Sequence, residues 1–451
     1  MFKTRFISML VLLAAVVTGA MAQETYKVSV KEGTEDATNW TITPAEATTT
    51  GVAAGTEVKA TYNGMKKVKS VKAVKKAAAA PVVIDLSMVD CAGTARTDGQ
   101  WTANCYMVHT AGDYKLPLVY GNAIKAGEDN TVAYNPGGTT SNTYCANFVN
   151  HADQAITAPW IKDNNITVTS AELLWQDAEG LITAVGIDGD YLTLTVGKDA
   201  ATQEGNAVVA AKDADGTIVW SWHIWVTTET FADNTLTTIA TGEHNYKVTP
   251  VNLGWVPTST DGKQGYNTYY QWGRKDPFKG MGTVSSERKW NITIADNIKN
   301  PTTHHYNSIT DGPCNTTYYN MWDARQTSDG DNITTATEKT VYDPSPAGFC
   351  VPTGNLFHFI TNGDTSEEGS WDNINKGRTF TSGTSNVFFP ASGQRSTSNG
   401  SLGLVGSGGY YWSASASMGY NARDLYFDSS NWKWYSGVRT YGFTVRAVAE
   451  E

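Results

Sequence analysis

The histidines, cysteines and carboxylates are the residues of this chain that could perform catalysis or hold a metal. Among the seven histidines only His304 and His305 are adjacent, and neighbouring side chains of a strand point to opposite faces, which makes them a poor bidentate metal site. The sequence has no GxSxG, HExxH or phosphate-binding glycine loop followed by lysine. A carboxylate pair for glycoside hydrolysis stays open, because it needs only spatial proximity. We therefore expect no catalytic residue, no metal and no cofactor.

The cysteines favour a structural role. No two of them form a CxxC pair, and no histidine lies at ligand spacing from one, so a zinc site is a poor interpretation. An odd number leaves at least one thiol unpaired, and connectivity cannot be read from spacing. Isolated buried thiols, or one or two structural disulfides, are the expected arrangements. The five are Cys91, Cys105, Cys145, Cys314 and Cys350.

The carboxyl-terminal segment favours a display surface. Gly409–Ser413, Leu425–Phe427 and Gly442–Arg446 read as short strands that frame a loop rich in Trp, Tyr, Asn and Ser. Strand alternation places Leu425 and Phe427 on a core face. The loop between the last two strands is too polar and too broken by glycine for a buried strand, so several of its aromatic rings should be at least partly exposed.

Exposed Trp, Tyr and Arg dominate binding hot spots, since each offers a large apolar area with a polar group. For Trp432 and Trp434 the competing interpretation is that they cover the domain's own sheet. Tyr411 and Trp412 are assigned to the framework because they lie inside a strand-like block. The predicted ligand contacts are Tyr420, Trp432, Trp434, Tyr435, Arg439 and Tyr441.

Composition and the amino terminus indicate an exported protein that does not bind nucleic acid. The net charge of −10 would repel phosphate backbones. Residues 1–22 resemble a signal peptide: Lys3 and Arg5 precede an apolar run, and Ala20–Ala22 gives a small-x-small cleavage pattern. We expect no transmembrane segment in the mature chain, and a location in the periplasm, at the cell surface or outside the cell.

The sequence predicts a mainly β, multidomain protein. Residues 23–76 alternate apolar and polar side chains, which predicts a small module of β-hairpins. A lysine run closes that module; a solvated edge strand is favoured over a site for an anionic polymer. Residues 77–81 form a linker, 82–255 an Ig-like β-sandwich, and 256–451 a loop-rich domain with one helix at Gly354–Thr361.

Two strands and the helix carry finer predictions. Tyr191–Val196 and Ile218–Val226 read as strands of the sandwich, and Trp220, Trp222 and Ile224 share one face of the second, which favours a core role. In the helix, Leu356, Phe359 and Ile360 could form the apolar face, and Thr353 is a reasonable N-cap.

Within the last region, four ordered blocks resemble the Fibrobacter succinogenes major paralogous domain family. Tyr342–Thr353 is similar to its "CPxGWRVPT" block, and Phe389–Arg395, Gly409–Ser413 and Gly442–Arg446 match its later blocks. The resemblance implies a C-type-lectin-like fold, which makes 256–451 an α+β domain. Such domains occur in exported proteins of Bacteroidetes. In the similar variable proteins of diversity-generating retroelements, the stretch corresponding to Ser415–Tyr441 is the mutable binding face.

The chain also departs from this family. Ser345 and Ala447 stand where the family often has cysteines, which suggests that a family disulfide is missing as a unit. A pairing of Cys350 with Cys314 is then one possibility. The calcium-binding blocks of sugar-binding C-type lectins are missing, and no cysteine follows Cys350, which counts against the chemistry of formylglycine-generating enzymes.

Taken together, these features predict an exported, adhesion-type binding protein that is not an enzyme. Its partner would be a protein or a glycan at a cell or phage surface, recognised without covalent chemistry. Two alternatives stay open: a structural subunit of a surface appendage, and a carbohydrate-active enzyme.

Overall fold

The structure, a computed structural model, describes six strands before residue 76 and most of the chain from residue 82. The described ranges of the latter part are 82–137, 148–241, 244–259, 262–306, 318–326, 336–361, 369–382 and 384–451. The chain divides into two compact units, Met1–Val82 and Val83–Glu451.

The first unit contains two three-stranded sheets, ordered β1-β5-β3 and β4-β2-β6. The last strand pairs only with β2 in the described residues, so the end of the lysine run lies at a sheet edge, as predicted. The predicted cleavage site at 20–22 lies outside the described residues. The strands are β1 (Ile7–Leu12), β2 (Thr25–Lys31), β3 (Trp40–Thr43), β4 (Val52–Ala53), β5 (Glu57–Tyr62) and β6 (Ser70–Lys75).

The second unit is built mainly from strands, and the predicted mainly β class is confirmed. Its strands are β7 (Val83–Asp85), β8 (Cys105–Val108), β9 (Gly112–Pro117), β10 (Ile124–Lys125), β11 (Glu128–Asp129), β12 (Ser170–Gln176), β13 (Ile182–Asp188), β14 (Tyr191–Val196), β15 (Gly205–Lys212), β16 (Ile218–Val226), β17 (Thr237–Ala240), β18 (Asn245–Val248), β19 (Val256–Pro257), β20 (Gly265–Tyr266), β21 (Tyr270–Gln271), β22 (Ser285–Arg288), β23 (Thr303–Tyr306), β24 (Phe349–Cys350), β25 (Ser370–Asp372), β26 (Gly377–Ser382), β27 (Ser385–Pro390), β28 (Gln394–Arg395), β29 (Leu402–Gly403), β30 (Gly408–Ala416), β31 (Asn421–Asp428), β32 (Trp432–Val438), β33 (Gly442–Phe443) and β34 (Val448–Ala449). The helices are α1 (Thr131–Tyr134), α2 (Ile294–Lys299) and α3 (Gly354–Ile360).

Two four-stranded sheets, β12-β15-β16-β8 and β13-β14-β9-β7, occupy the region predicted as a sandwich. Their inward residues belong to one hydrophobic cluster, which includes Leu116, Leu194 and Val209. The sequence predicted that one face of the long strand β16 lies in the core. In the structure both faces are buried, because Trp225 on the opposite face is as fully buried as Trp220 and Trp222. His223 is buried as well, and its Nε2 lies 2.9 Å from Asn206 Oδ1.

The predicted boundary between residues 255 and 256 lies inside one continuous unit. Strands β17 and β18 pair with the carboxyl-terminal strands in the sheet β17-β18-β34-β24. The hydrophobic cluster that holds Trp220 also contains Trp272 and Trp412. Residues on both sides of the predicted boundary therefore share one core.

Helix α3 lies where the sequence predicted it, but it presents a different apolar face. Leu356, Phe357 and Ile360 are buried, whereas Phe359, which the sequence placed on the core face, is 37% exposed. Thr353 is at the N-cap position, yet its hydroxyl hydrogen-bonds Tyr246 and makes no cap bond to the helix. The Gly354 amide donates instead to Ser415 Oγ at 2.9 Å, which fastens the helix to strand β30.

Candidate recognition surface

The three-stranded antiparallel sheet β30-β31-β32 carries most of the predicted contact residues. Its register pairs Tyr411 with Leu425 and Leu425 with Trp434, so these three side chains share one face, called the inner face here. Tyr410, Tyr426 and Lys433 are paired in the same way and share the opposite, outer face. Strand β32 is the terminal strand of this sheet.

The inner face is packed against a second hydrophobic cluster. Tyr411, Leu425 and Phe427 are fully buried in it, while Trp432 and Trp434 are half-buried at its margin. The cluster also contains aromatic and aliphatic side chains from α3 and from strands β17, β18, β26 and β27. The predictions that Leu425 and Phe427 fill the core and that Tyr411 belongs to the framework are therefore confirmed.

Cations and an imidazole hold the two half-buried indoles in place. The Arg378 guanidinium lies 4.1 Å from the centre of the Trp432 ring, and that of Arg423 lies 4.3 Å from the Trp434 ring. The exposed His358 of α3 meets Trp434 edge to face at 4.9 Å. Both indoles therefore cover their own sheet, as the competing interpretation expected. Part of each ring nevertheless stays accessible to solvent.

The outer face carries an ordered row of aromatic rings. Tyr426 contacts Tyr410 at a centroid distance of 5.1 Å, Tyr410 contacts Phe443 at 5.1 Å, and Phe443 stacks on Tyr441 at 5.2 Å. Trp412, fully buried as predicted, stacks under Phe443 at 4.3 Å. Burial raises the pKa of Tyr410 to about 12, so its hydroxyl stays protonated at neutral pH.

Tyr435 projects from the outer face beside this row and is 55% exposed. It is paired with Asp424 of the central strand, whose side chain is buried on the same face. Burial raises the pKa of Asp424 to about 8, although a hydrogen bond from the Gly437 amide lowers it in part. Asp424 Oδ1 has no hydrogen-bond partner in the described part of the chain. The raised pKa favours the uncharged form of the Asp424 carboxyl at neutral pH, on the same face of the sheet as Tyr435.

The remaining predicted contacts lie where the sheet ends, and one of them is not accessible. Tyr420 and Tyr441 are half-buried. Arg439, predicted as a ligand contact, is instead fully buried: its Nε donates to Asn421 O at 3.1 Å and its Nη1 to Tyr318 O at 2.7 Å. Its guanidinium also covers the Trp272 ring at 4.3 Å. Arg439 therefore supports the surface from beneath.

Sequence reasoning missed several residues that complete the surface. Tyr410 and Lys433 were not among the predicted ligand contacts. The two-residue period of a strand puts Tyr426 on the other face from Leu425, and the same period puts Tyr410 and Lys433 on that outer face. His358 and Arg423 contact Trp434 from a helix and a neighbouring strand, a proximity that no local pattern encodes. We define the recognition strip as the accessible residues along β32, with the histidine that contacts Trp434: Trp432, Lys433, Trp434, Tyr435 and His358.

Three histidines outside the strip are buried and neutral. Burial lowers the pKa of His223 to about 3, and burial with nearby cations does the same for His304 and His305. In the described ranges no group of three His, Cys, Asp or Glu side chains could hold a metal ion. Cys91, Cys105 and Cys350 are buried free thiols, while Cys145 and Cys314 lie outside the described residues.

Comparison with known proteins places a domain of unknown function on this surface. Residues 359–448 match the family described as "Domain of unknown function (DUF8237)". The match begins within α3 and ends in β34, so it includes the whole sheet β30-β31-β32. No curated protein and no solved structure matches the chain. Among the described residues, no helix is long and apolar enough to span a membrane.

Proposed function

We propose that the chain is an exported binding protein that recognises a protein or glycan at a cell or phage surface through the recognition strip. The observation that carries this proposal is Tyr435, a large aromatic residue 55% exposed on a sheet whose neighbouring side chains are held by packing. An exposed tyrosine on a stiff support offers contact area at low entropic cost, because few rotatable bonds must be fixed on binding.

The supporting structure behind the strip favours binding without rearrangement. The inner face is anchored in a hydrophobic cluster, and the aromatic row stiffens the outer face. Arg378 and Arg423 fix the two indoles from below. A preorganised surface binds more tightly than a flexible one with the same contacts, because fewer side chains lose conformational entropy on binding.

The chemistry of the strip favours non-covalent recognition. Lys433 adds a positive charge and hydrogen-bond donors next to Tyr435, while Trp434 adds an apolar border on the other side of the strand. This mixture of aromatic area with polar groups is typical of hot spots in protein interfaces. We assign no catalytic residue to the strip.

The test is an array of glycans and surface proteins probed with the full-length protein and two variants. Tyr435→Ala with Lys433→Ala should weaken binding of the ligand found with wild type by about tenfold or more, because a central aromatic contact is removed. Trp290→Ala is the matched control, since Trp290 is also 55% exposed but lies outside the strip. Equal losses in both variants, or none in the first, would remove the strip from recognition.

We also propose that Ser415–Tyr441 is diversified by a retroelement. Positions such as Lys433 and Tyr435 point outward and would tolerate change, whereas Leu425 and Phe427 are fully buried and would not. The expected genomic observation is a reverse transcriptase gene nearby with a near-copy of these codons. A template whose mismatches fall on Leu425 and Phe427 as often as on the exposed positions would contradict the proposal.

A further inference from the structure

A concave site lies beside strand β12, the terminal strand of the sheet β12-β15-β16-β8, and contains no residue of the recognition strip. The cleft has a volume of about 200 Å³. Its other walls are the loop between β21 and β22, the first residue of β22, and the residue before β23. This volume is below the range of about 300–1,000 Å³ typical of pockets for drug-sized ligands, so the cleft suits a single ring.

A β-bulge shapes the wall formed by β12. Leu173 pairs with Val209 and Trp175 with Val208, so Leu174 is an extra residue between two paired ones. Such a bulge changes the direction in which a side chain points, and bulges are common beside active sites. Leu174 and Trp175 both line the cleft.

The floor of the cleft is apolar. Trp175 and Phe278 are buried, and Leu174 and Val284, which are half-buried, add accessible aliphatic surface. Phe278 is fixed by its backbone: its amide donates to Tyr269 O at 2.8 Å, and the Tyr269 amide donates to Phe278 O at 3.2 Å. This floor can cover the C–H face of a ligand ring.

The cleft carries one positive charge, that of the half-buried Lys279. Its ammonium group lies 5.8 Å from the centre of the Trp175 ring, and it makes no ion pair or hydrogen bond within the described part of the chain. No described aspartate or glutamate lines the cleft. An anionic ligand group could therefore pair with Lys279 without displacing a carboxylate of the protein.

The carboxylates that are close in sequence to the lining residues each have another partner. Lys279 is therefore not neutralised by them. They are Glu172 beside Lys212 at 2.6 Å, Asp177 beside the Asn206 amide at 2.6 Å, Asp276 beside Lys275 at 2.8 Å, and Glu287 beside His305 at 3.6 Å.

Three hydroxyl-bearing residues share the lining with Lys279. They are Thr283, Ser285 and Thr302. None of their hydroxyl groups forms a hydrogen bond within the described ranges. A hydroxyl group can both donate and accept, so these three match ligand groups that also do both.

The loop that carries Lys279 is held in place by a buried arginine. Arg395 Nη2 donates to Lys279 O at 2.6 Å and to Gly282 O at 3.2 Å. The parallel pairing of Ser285 with Thr303 fixes β22 beside β23. The walls are therefore already formed, and a ligand would lose little affinity to their ordering.

We infer that this cleft binds a single sugar residue that carries a carboxylate, as a uronic acid does. The Lys279 ammonium pairs with the carboxylate, and the hydroxyls of Thr283, Ser285 and Thr302 pair with hydroxyls of the ring. The apolar floor covers the C–H face of the same ring. An acidic side chain of a partner protein would share the carboxylate but would make no use of the three hydroxyls.

The probes are glucuronate and glucose, which differ only in the carboxylate that replaces the CH₂OH group. Their affinities for the full-length protein are measured by ligand-observed NMR titration. Glucose should bind about tenfold or more weakly than glucuronate, because it lacks the charge-assisted hydrogen bond. Lys279→Met keeps the aliphatic stem but removes the charge, so it should lower the affinity for glucuronate to that for glucose. Thr283→Val/Thr302→Val should weaken binding of both sugars, since it removes two hydroxyls at nearly constant volume.

The matched control is Lys198→Met, which removes the charge of an exposed lysine that does not line the cleft. It should leave glucuronate binding within about twofold of wild type, because a distant charge is screened by salt. Tyr435→Ala in the recognition strip should also leave it unchanged, so the two sites are tested independently.

Four results would overturn the inference. They are no binding of glucuronate to wild type, equal binding of glucose, an equal loss in Lys198→Met, and binding of propionate as tight as that of glucuronate. The last result would show a site for an isolated carboxylate, as on an acidic side chain of a partner protein.

Discussion

Asp424 shows how a single side chain can link the recognition strip to pH. Its carboxyl is buried beside Trp412, Phe443 and Gly437; a Cβ placed on Gly437 would lie 3.0 Å from Asp424 Oδ1. The pKa is raised from 3.8 to about 8 by this burial. The unfolded chain therefore loses this proton near pH 4 while the folded chain keeps it until about pH 8, so stability falls as the pH rises through that window.

Asp424→Asn should remove this pH dependence. The free energy of unfolding of the variant minus that of wild type should increase by at least about 1 kcal/mol from pH 5 to pH 8. The reason is that wild type loses stability over this range, whereas asparagine carries no proton to lose. Urea denaturation at both pH values measures the change, and all other titrating groups cancel in the comparison. A constant difference between variant and wild type would show that the Asp424 carboxyl is not held in its neutral form.

Exposed and buried aromatic residues of the same sheet should respond very differently to truncation. Phe427 is fully buried in the inner cluster, so Phe427→Ala should lower the free energy of unfolding by about 3–5 kcal/mol through lost burial and a cavity. Tyr435→Ala should change it by less than about 1 kcal/mol, because the ring is mainly in water. Chemical denaturation of both variants gives the comparison. A large loss for Tyr435→Ala would mean that this ring is structural.

At the scale of elements, buried arginines fasten the carboxyl-terminal strands to the loops around them. Arg446 donates from Nε to Asn252 Oδ1 at 2.7 Å, from Nη1 to Thr249 O at 3.0 Å, and from Nη2 to Phe388 O at 3.1 Å. Burial lowers its pKa to about 10, which still leaves it charged at neutral pH. One side chain thus connects the segment before β34 with the loop after β18 and with β27.

Arg446→Met should destabilise the protein by about 3 kcal/mol or more, because several buried acceptors lose their donor. The matched control is Arg325→Met: Arg325 forms an exposed ion pair with Glu338 at 2.9 Å, which should contribute less than about 1 kcal/mol. Thermal and urea denaturation of both variants would test the difference. Similar losses in the two would mean that the Arg446 contacts contribute no more than a surface pair.

The local sequence pattern predicted an element well where the residues of that element alone determine its conformation. Strands Tyr191–Val196 and Ile218–Val226 begin and end where the sequence placed them, since alternation and β-branched or aromatic residues act on the strand alone. The pattern did not reveal that Phe357, not Phe359, faces the core, because the direction of α3 depends on what packs against it. Arg439 was misplaced for a similar reason: its acceptors at Asn421 and Tyr318 are distant in sequence.

At the scale of the whole molecule, residues 83–451 share one hydrophobic core, and we expect them to unfold as one cooperative unit. Asn104 Nδ2 donates to Val341 O at 2.7 Å and to Asp343 O at 2.8 Å, across more than half of the unit's length. Trp225 of β16 is linked through Phe231 to Phe349 by ring contacts of 5.7 and 5.1 Å. The two predicted domains therefore depend on each other for burial.

Separating the chain at the predicted boundary should abolish folding of both parts. Residues 83–255 and 256–451, each expressed alone, should show no cooperative unfolding transition, because each exposes one side of the shared core. Residues 83–451 should unfold in one transition. Circular dichroism during heating measures this, and mixing the two fragments is a useful control, since association should restore part of the structure. A cooperative transition from either fragment alone would contradict the shared core.

The depth at which the indoles lie has a spectroscopic consequence. Trp220, Trp222, Trp225, Trp272, Trp322 and Trp412 are shielded from water. The tryptophan fluorescence of the native protein should therefore have its maximum at shorter wavelength than that of the unfolded chain. Iodide should quench only a minor fraction of this fluorescence. A ligand bound over Trp432 and Trp434 would protect part of the quenchable fluorescence from iodide. Collisional quenching therefore measures occupancy of the carboxyl-terminal sheet without a label.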